Sequence, residues 1–183
     1  MKKEFWTAEK LLGLSAIIIS LSTLFVMAYQ TNLVRKQQYM SVYPHLDLTN
    51  FNSGSLNYKY VLTNEGVGPA FVKEIHVKEK NGQAHESLVA YVEGALSEED
   101  SIAIHYSDLY AGRLIPAGEE IILFGLSDNS YLNSYNLPPN TVEGAETLRS
   151  LLNDESIMIE IVYESIYGER WSINNHSYSP TKH

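Results

Sequence analysis

Leu11–Val34 reads LLGLSAIIISLSTLFVMAYQTNLV, twenty-four residues without one charged side chain. Lys10 closes the run on one side; Arg35 and Lys36 close it on the other. An α-helix rises about 1.5 Å per residue, so about 20 apolar residues cross a hydrocarbon layer about 30 Å thick. Leu11–Tyr29 meets that need and reads as a transmembrane helix in contact with the lipid bilayer. Its surface is apolar all round, unlike the two-faced surface of a soluble helix. Trp6 and Tyr29 lie near its ends, where aromatic rings favour the headgroup level. Ser15, Ser20, Ser22 and Thr23 interrupt the run, and their hydroxyls can bond back to the carbonyl four residues earlier. Ala16 and Ser20 form a small-xxx-small pair. That pair is a candidate helix–helix contact, through which a second copy would form a homodimer.

The basic start (Lys2, Lys3) and Val26-Met27-Ala28 also suit a cleavable signal peptide. The apolar run is longer than the usual ~7–15 residues of a signal core, which favours an uncleaved anchor. Lys2, Lys3 and Lys10 precede the span, and Arg35 and Lys36 follow it. With the α-amine, that balance favours the N-terminus inside and the rest of the chain outside. The expected location is a bacterial cytoplasmic (inner) membrane, crossed once.

Outward from the span, the organisation reads as an N-terminal flank at 1–10, the membrane helix at 11–29 and a helical stalk at 30–42. A β-sandwich domain at 43–175 and a polar tail at 176–183 complete it. Residues after the stalk are numerous enough for one domain with its own core. The chain has no cysteine, which excludes disulfides, thiolate metal sites and thiol catalysis. Residues 37–183 carry eight Lys or Arg against twenty Asp or Glu, a net of −12. Phosphate binding needs cations, so no nucleic-acid partner is expected. The same charge is repelled by anionic lipid, so the domain is expected to stand off the bilayer on Gln30–Met40.

Tyr43-Pro44 stops the stalk helix, because the residue before proline avoids the α region. His45–Thr49 and Leu56–Thr63 alternate polar and apolar, as half-buried strands do. Between the second strand and the next lies Asn64-Glu65-Gly66-Val67-Gly68-Pro69-Ala70, a tight irregular corner. No Lys-Ser/Thr follows Gly68 and a strand comes next, so it is not a phosphate loop. Phe71–Lys80 is a strand with Phe71, Ile75 and Val77 on one face. Asn81-Gly82 ends it. Leu88, Val89, Val92 and Leu96 recur at helical spacing, predicting a short helix within 86–96. Ile102–Tyr106, Ile121–Leu126, Ile157–Tyr163 and Glu169–Ile173 read as further strands. Asn140 with Glu143 marks the start of a second short helix, running to about Asn153. Many short strands separated by turns predict a mainly β chain, an antiparallel β-sandwich with one or two inserted helices.

Three pieces together resemble a group of bacterial single-span membrane proteins of unassigned activity. They are the span followed by Tyr43-Pro44-His45; the run Leu62–Ala70; and Leu114-Ile115-Pro116-Ala117-Gly118 followed by Ile161–Gly168. The outer part of such proteins resembles an immunoglobulin- or fibronectin-like sandwich. The resemblance covers roughly residues 43–175 and implies a fold; it implies no activity.

Residue chemistry points away from catalysis. The histidines are His45, His76, His85, His105, His176 and His183, with no pair at i, i+4 and no His-x-His. No serine sits in a Gly-x-Ser-x-Gly elbow. Asn175-His176-Ser177 matches the glycosylation pattern, a match expected by chance at this length. No catalytic, metal-binding or cofactor-binding residue is assigned, and no cofactor is expected. Tyr106, Tyr110, Tyr131 and Tyr135 lie in or beside long loops, and tyrosine offers rigid contact area. They are the candidate contact surface for a protein or glycan, weighed against rings that merely cover the sandwich edge. The reading is a membrane-anchored binding or scaffolding module without catalysis, with an unknown protein partner. The alternatives are an envelope enzyme acting on glycans through a dispersed acid/base site, and a regulatory or sensing subunit of a membrane complex.

Overall fold

In the computed structural model of the chain, residues 7–52, 57–96, 104–126 and 141–183 are described. Trp6, Leu56, Ile102, Asn140, Tyr131 and Tyr135 lie outside them, as do the side chains of Val142 and Glu143. The chain forms two units, Met1–Ser41 and Val42–His183. In the first, a single helix α1 runs from Ala8 to Ser41, 34 residues and about 51 Å at the α-helical rise. It is long and apolar enough to cross a membrane. The span and the stalk are therefore one continuous helix. Its hydroxyls bond backwards: Ser20 Oγ donates to the Ala16 carbonyl at 2.8 Å, and Thr23 Oγ1 to that of Ile19 at 2.8 Å. These hydroxyls are thus satisfied within the helix, as a hydrocarbon surrounding would require.

The second unit holds two antiparallel sheets. One orders its strands β1-β2-β7-β5: β1 is Leu46–Phe51, β2 Lys59–Asn64, β7 Glu120–Leu126 and β5 Ile104–Tyr106. The other orders β10-β9-β8-β3-β4, with β6 also on β3. Here β3 is Ala70–Glu79, β4 Ala84–His85, β6 Leu114–Ile115, β8 Ile157–Glu164, β9 Arg170–Asn174 and β10 Thr181–Lys182. The sheets share one core. Leu46, Tyr58, Tyr60, Leu62 and Phe124 enter it from the first, and Val72, Val77, Ile159, Ile161 and Tyr163 from the second. Helix α2, Leu88–Ala95, adds Tyr91 and Val92; helix α3, Thr141–Leu152, adds Leu148 and Leu152. Ser87 caps α2, its Oγ accepting from the Ala90 N–H at 3.0 Å.

One expectation is extended and one is corrected. The segment read as a polar tail contains β10, whose Thr181 and Lys182 pair with Ser172 and Trp171. On β3, Val72 is fully buried while Phe71 is only half-buried. The register against β8 shifts between Val72 and Glu74. A bulge of this kind lets one extra residue pass and flips the inward face, so Val72 faces in before it, with Ile75 and Val77 after it.

The Asn64–Pro69 corner has a partner that its own residues do not reveal. Val42–His45, the segment arriving from α1, lies across it. Tyr43 C=O accepts from Val67 N–H at 2.9 Å and from Gly68 N–H at 3.2 Å; His45 C=O accepts from Glu65 N–H at 2.8 Å. A Cβ on Gly68 would stand 1.9 Å from the Val42 carbonyl oxygen, and one on Gly66 would stand 2.3 Å from the His45 nitrogen. Both positions must therefore lack a side chain. Asn64, fully buried, ties the parts together. Its Oδ1 accepts from His45 N–H at 3.2 Å and Gly66 N–H at 3.1 Å; its Nδ2 reaches the carbonyls of Gly68 at 2.9 Å, Ile115 at 3.0 Å and Pro116 at 3.2 Å.

Candidate functional site

Strand β1 is one edge of the first sheet, β5 being the other. Beside it lies an open cleft of about 810 Å³, lined by Asp47–Asn50, Lys80, Glu155 and Asn175–Tyr178. That volume falls in the ~300–1,000 Å³ range of ligand sites. The cleft borders β1 on one side and the turn after β9 on the other.

Both walls are held by local hydrogen bonds. On β1, Asp47 Oδ2 accepts from Thr49 Oγ1 at 2.6 Å. Asn50 accepts from the Tyr58 hydroxyl at 2.5 Å and donates to Asn153 Oδ1 at 2.7 Å. Burial pushes the Tyr58 phenol up to about 12, so it stays a donor at neutral pH. On the opposite wall, Asn175 uses its whole amide: Oδ1 accepts from Ile159 N–H at 2.9 Å, and Nδ2 donates to the Ile157 carbonyl at 3.0 Å. His176 Nε2 lies 2.9 Å from that same carbonyl. A carbonyl can only accept, so Nε2 carries a proton. The turn is stiffened further by His176 N–H donating to Asn174 Oδ1 at 2.9 Å. Lys80 N–H donates to the Ser156 carbonyl at 2.8 Å, which fixes the base of its side chain.

The cleft thus presents both signs of charge: Asp47 and Glu155 against Lys80. Tyr178 stands fully exposed at its rim. Asp154, beside it in sequence to Glu155, is held below the usual carboxylate range by the Ser156 N–H that donates to Oδ1 at 2.7 Å, helped by Lys80. A general acid at neutral pH needs the opposite shift.

The tyrosines named from sequence are distributed differently. Tyr106, on β5, and Tyr110, in the loop after it, are exposed. The Tyr106 ring leans on Phe124, centroids 5.8 Å apart, so it also covers the edge of the core. Ala16 and Ser20 are exposed on α1 and joined by the backward hydrogen bond already described. The outer face of the second sheet is occupied by ion pairs: Lys73 with Glu164 at 2.9 Å, and Arg170 with Glu74 at 3.0 Å. Sequence reasoning missed the cleft. Its only advance signal was Asn175-His176-Ser177, read as a glycosylation pattern; Asn175 instead spends its amide on β8. No family model, curated protein or solved structure matched this chain.

Proposed function

We propose that this chain is a single-pass membrane protein whose outer part is an immunoglobulin- or fibronectin-like β-sandwich, and that this body is a non-catalytic binding module. The strand order supports the fold type. One sheet runs β1-β2-β7-β5 and the other β9-β8-β3, followed by the short β4. With the short strands β10 and β6 set aside, this order resembles the ABED and CFG arrangement of a constant-type immunoglobulin sandwich, which is what supports the reading. The basic residues before the span favour the N-terminus inside and the domain outside a bacterial inner membrane.

The observation that carries the binding reading is the cleft: large, open, half polar in its lining and built on walls that are already rigid. Walls held in place before binding lower the ordering cost of a ligand. The test is affinity capture of the full-length protein in detergent, beside the double variant Glu155→Lys, Tyr178→Ala. Both side chains are exposed, so folding should be unchanged, which circular dichroism checks. A partner retained by the wild type and lost by the variant is the expected result. Equal recovery of every partner by both proteins would overturn the assignment of the cleft.

A further inference from the structure

We infer that the outer edge of β1 accepts an extended, cationic peptide segment of a partner protein, which adds to the first sheet as a fifth strand. This rests on the cleft being the binding site. The argument begins with the direction of main-chain groups. Glu65 N–H donates to the His45 carbonyl, so His45 faces β2. In an antiparallel pair that direction alternates along the strand. Asp47, Thr49 and Phe51 therefore also face β2, opposite Thr63, Val61 and Lys59. Leu46, Leu48 and Asn50 turn their N–H and C=O groups the other way. The hydrogen bonds agree at Leu46, whose N–H points to the Tyr163 hydroxyl at 3.4 Å.

Beyond Leu46 the edge is open. Among the described residues, nothing bonds the main-chain N–H of Leu48 or Asn50 on this side. Both residues line the cleft. Natural sheets protect such edges with proline, bulges or covering segments, because a bare edge is a template for another strand. β1 contains no proline, and its register against β2 is unbroken from Leu46 to Phe51. A strand laid along the edge would find a donor and an acceptor at Leu48 and again at Asn50. Its spacing is set by the ~3.3 Å rise per residue. Main-chain bonds then supply affinity, and alternate side chains reach the opposite wall, where Lys80, Glu155, His176 and Tyr178 read them.

Charge selects the occupant. Residues 37–183 carry a net of −12, and the cleft holds Asp47 and Glu155 against Lys80. A second copy of this body would bring the same negative charge to its own edge. A Lys- or Arg-bearing strand meets an attractive field and associates faster for it.

The probe is a fluorescein-labelled octapeptide alternating Lys with Thr and Val, titrated by anisotropy against the full-length protein in detergent micelles. Two N-methylated forms of it block alternate edges of the peptide strand, and a Glu-for-Lys form reverses its charge. Hydrogen exchange read by mass spectrometry follows the β1 amides. The expected result is that one methylated form and the Glu form each bind at least about tenfold more weakly, while the other methylated form binds like the parent. The Leu48 and Asn50 amides should exchange at least about tenfold more slowly with the parent peptide present. Equal binding by both methylated forms, or binding without protection at Leu48 and Asn50, would overturn strand addition while leaving the cleft as a binding site. Absence of parent-peptide binding at millimolar concentration overturns it as well. Saturable binding of an oligosaccharide that Glu155→Lys abolishes, with no peptide protection, would assign the cleft to a glycan instead. Loss of both, with capture unchanged in the double variant, sinks the binding-module reading itself.

Discussion

Replacing Asn64 with alanine tests how firmly the arriving chain is fastened to the two-sheet body. Asn64 is fully buried and makes five side-chain contacts between 2.9 and 3.2 Å. The substitution orphans two N–H donors, at His45 and Gly66, and removes the donor from three carbonyls. An unsatisfied buried polar group costs about 1–3 kcal/mol, less where water can reach it. His45 and Gly66 are half-buried, so each stands near the low end. Adding a smaller loss at the carbonyls gives about 3–5 kcal/mol, a large share of the ~5–15 kcal/mol that holds a domain together. At about 2–4 °C per kcal/mol, the melting temperature should fall by roughly 10 °C. The assay is thermal unfolding of the full-length protein in detergent, followed by near-UV circular dichroism. Asn64→Asp adds a sign to the test. It keeps the acceptor but turns an ionised oxygen toward the three carbonyls, so its folded carboxyl should titrate above the unfolded value. Stability of that variant should therefore fall as pH rises through the carboxylate range and recover toward pH 4. A loss under about 1 kcal/mol for Asn64→Ala, or a pH-independent Asn64→Asp, would refute the clasp as described.

Other substitutions probe the same body. Gly68→Ala places a Cβ 1.9 Å from the Val42 carbonyl oxygen, a backbone atom that must move; it should cost about 2–3 kcal/mol by overpacking, read as a lowered melting temperature. Tyr60→Phe should be neutral or stabilising by up to about 1 kcal/mol in chemical denaturation, because the Tyr60 hydroxyl is buried with no hydrogen-bond partner among the described residues. By contrast, Tyr58→Phe, which loses the bond to Asn50, should cost about 1 kcal/mol, measured by chemical denaturation. Burial raises the phenols of Tyr58, Tyr60 and Tyr163 above the ordinary 10.0. Their contribution is complete below pH 10 and is lost as pH rises beyond it, so these three should ionise together with alkaline unfolding, seen as a cooperative step in tyrosinate absorbance near 295 nm.

The parts legible in advance are those governed by a local rule. The apolar run at Leu11–Val34 lies within one helix, and its fitness to cross a membrane is legible because it depends only on length and the absence of charge. Gly82 has φ 91°, the left-handed conformation that an Asn-Gly turn requires. Both inserted helices stand where hydrophobic spacing placed them; the cap read at Asn140 lies outside the described residues. Phe71 was placed on the wrong face because a bulge after Val72 reverses face, and alternation carries no mark of the extra residue. Thr181–Lys182 is too short and polar to announce a strand; its pairing is supplied by Ser172 and Trp171. The tyrosines stood out by composition, yet Tyr106 serves partly as a cover for Phe124.

By itself, then, the sequence determined one segment long and apolar enough to cross a membrane, the absence of cysteine chemistry, the acidic body and the succession of short strands. Each follows from composition or from periods of two to four residues. Tertiary structure alone decided why Gly66 and Gly68 are glycines, since the atoms that exclude a side chain belong to Val42–His45. It also decided where the open cleft lies. The cleft joins residues 47–50, 80, 155 and 175–178, and only the antiparallel return of the chain brings that open edge and its opposite wall together.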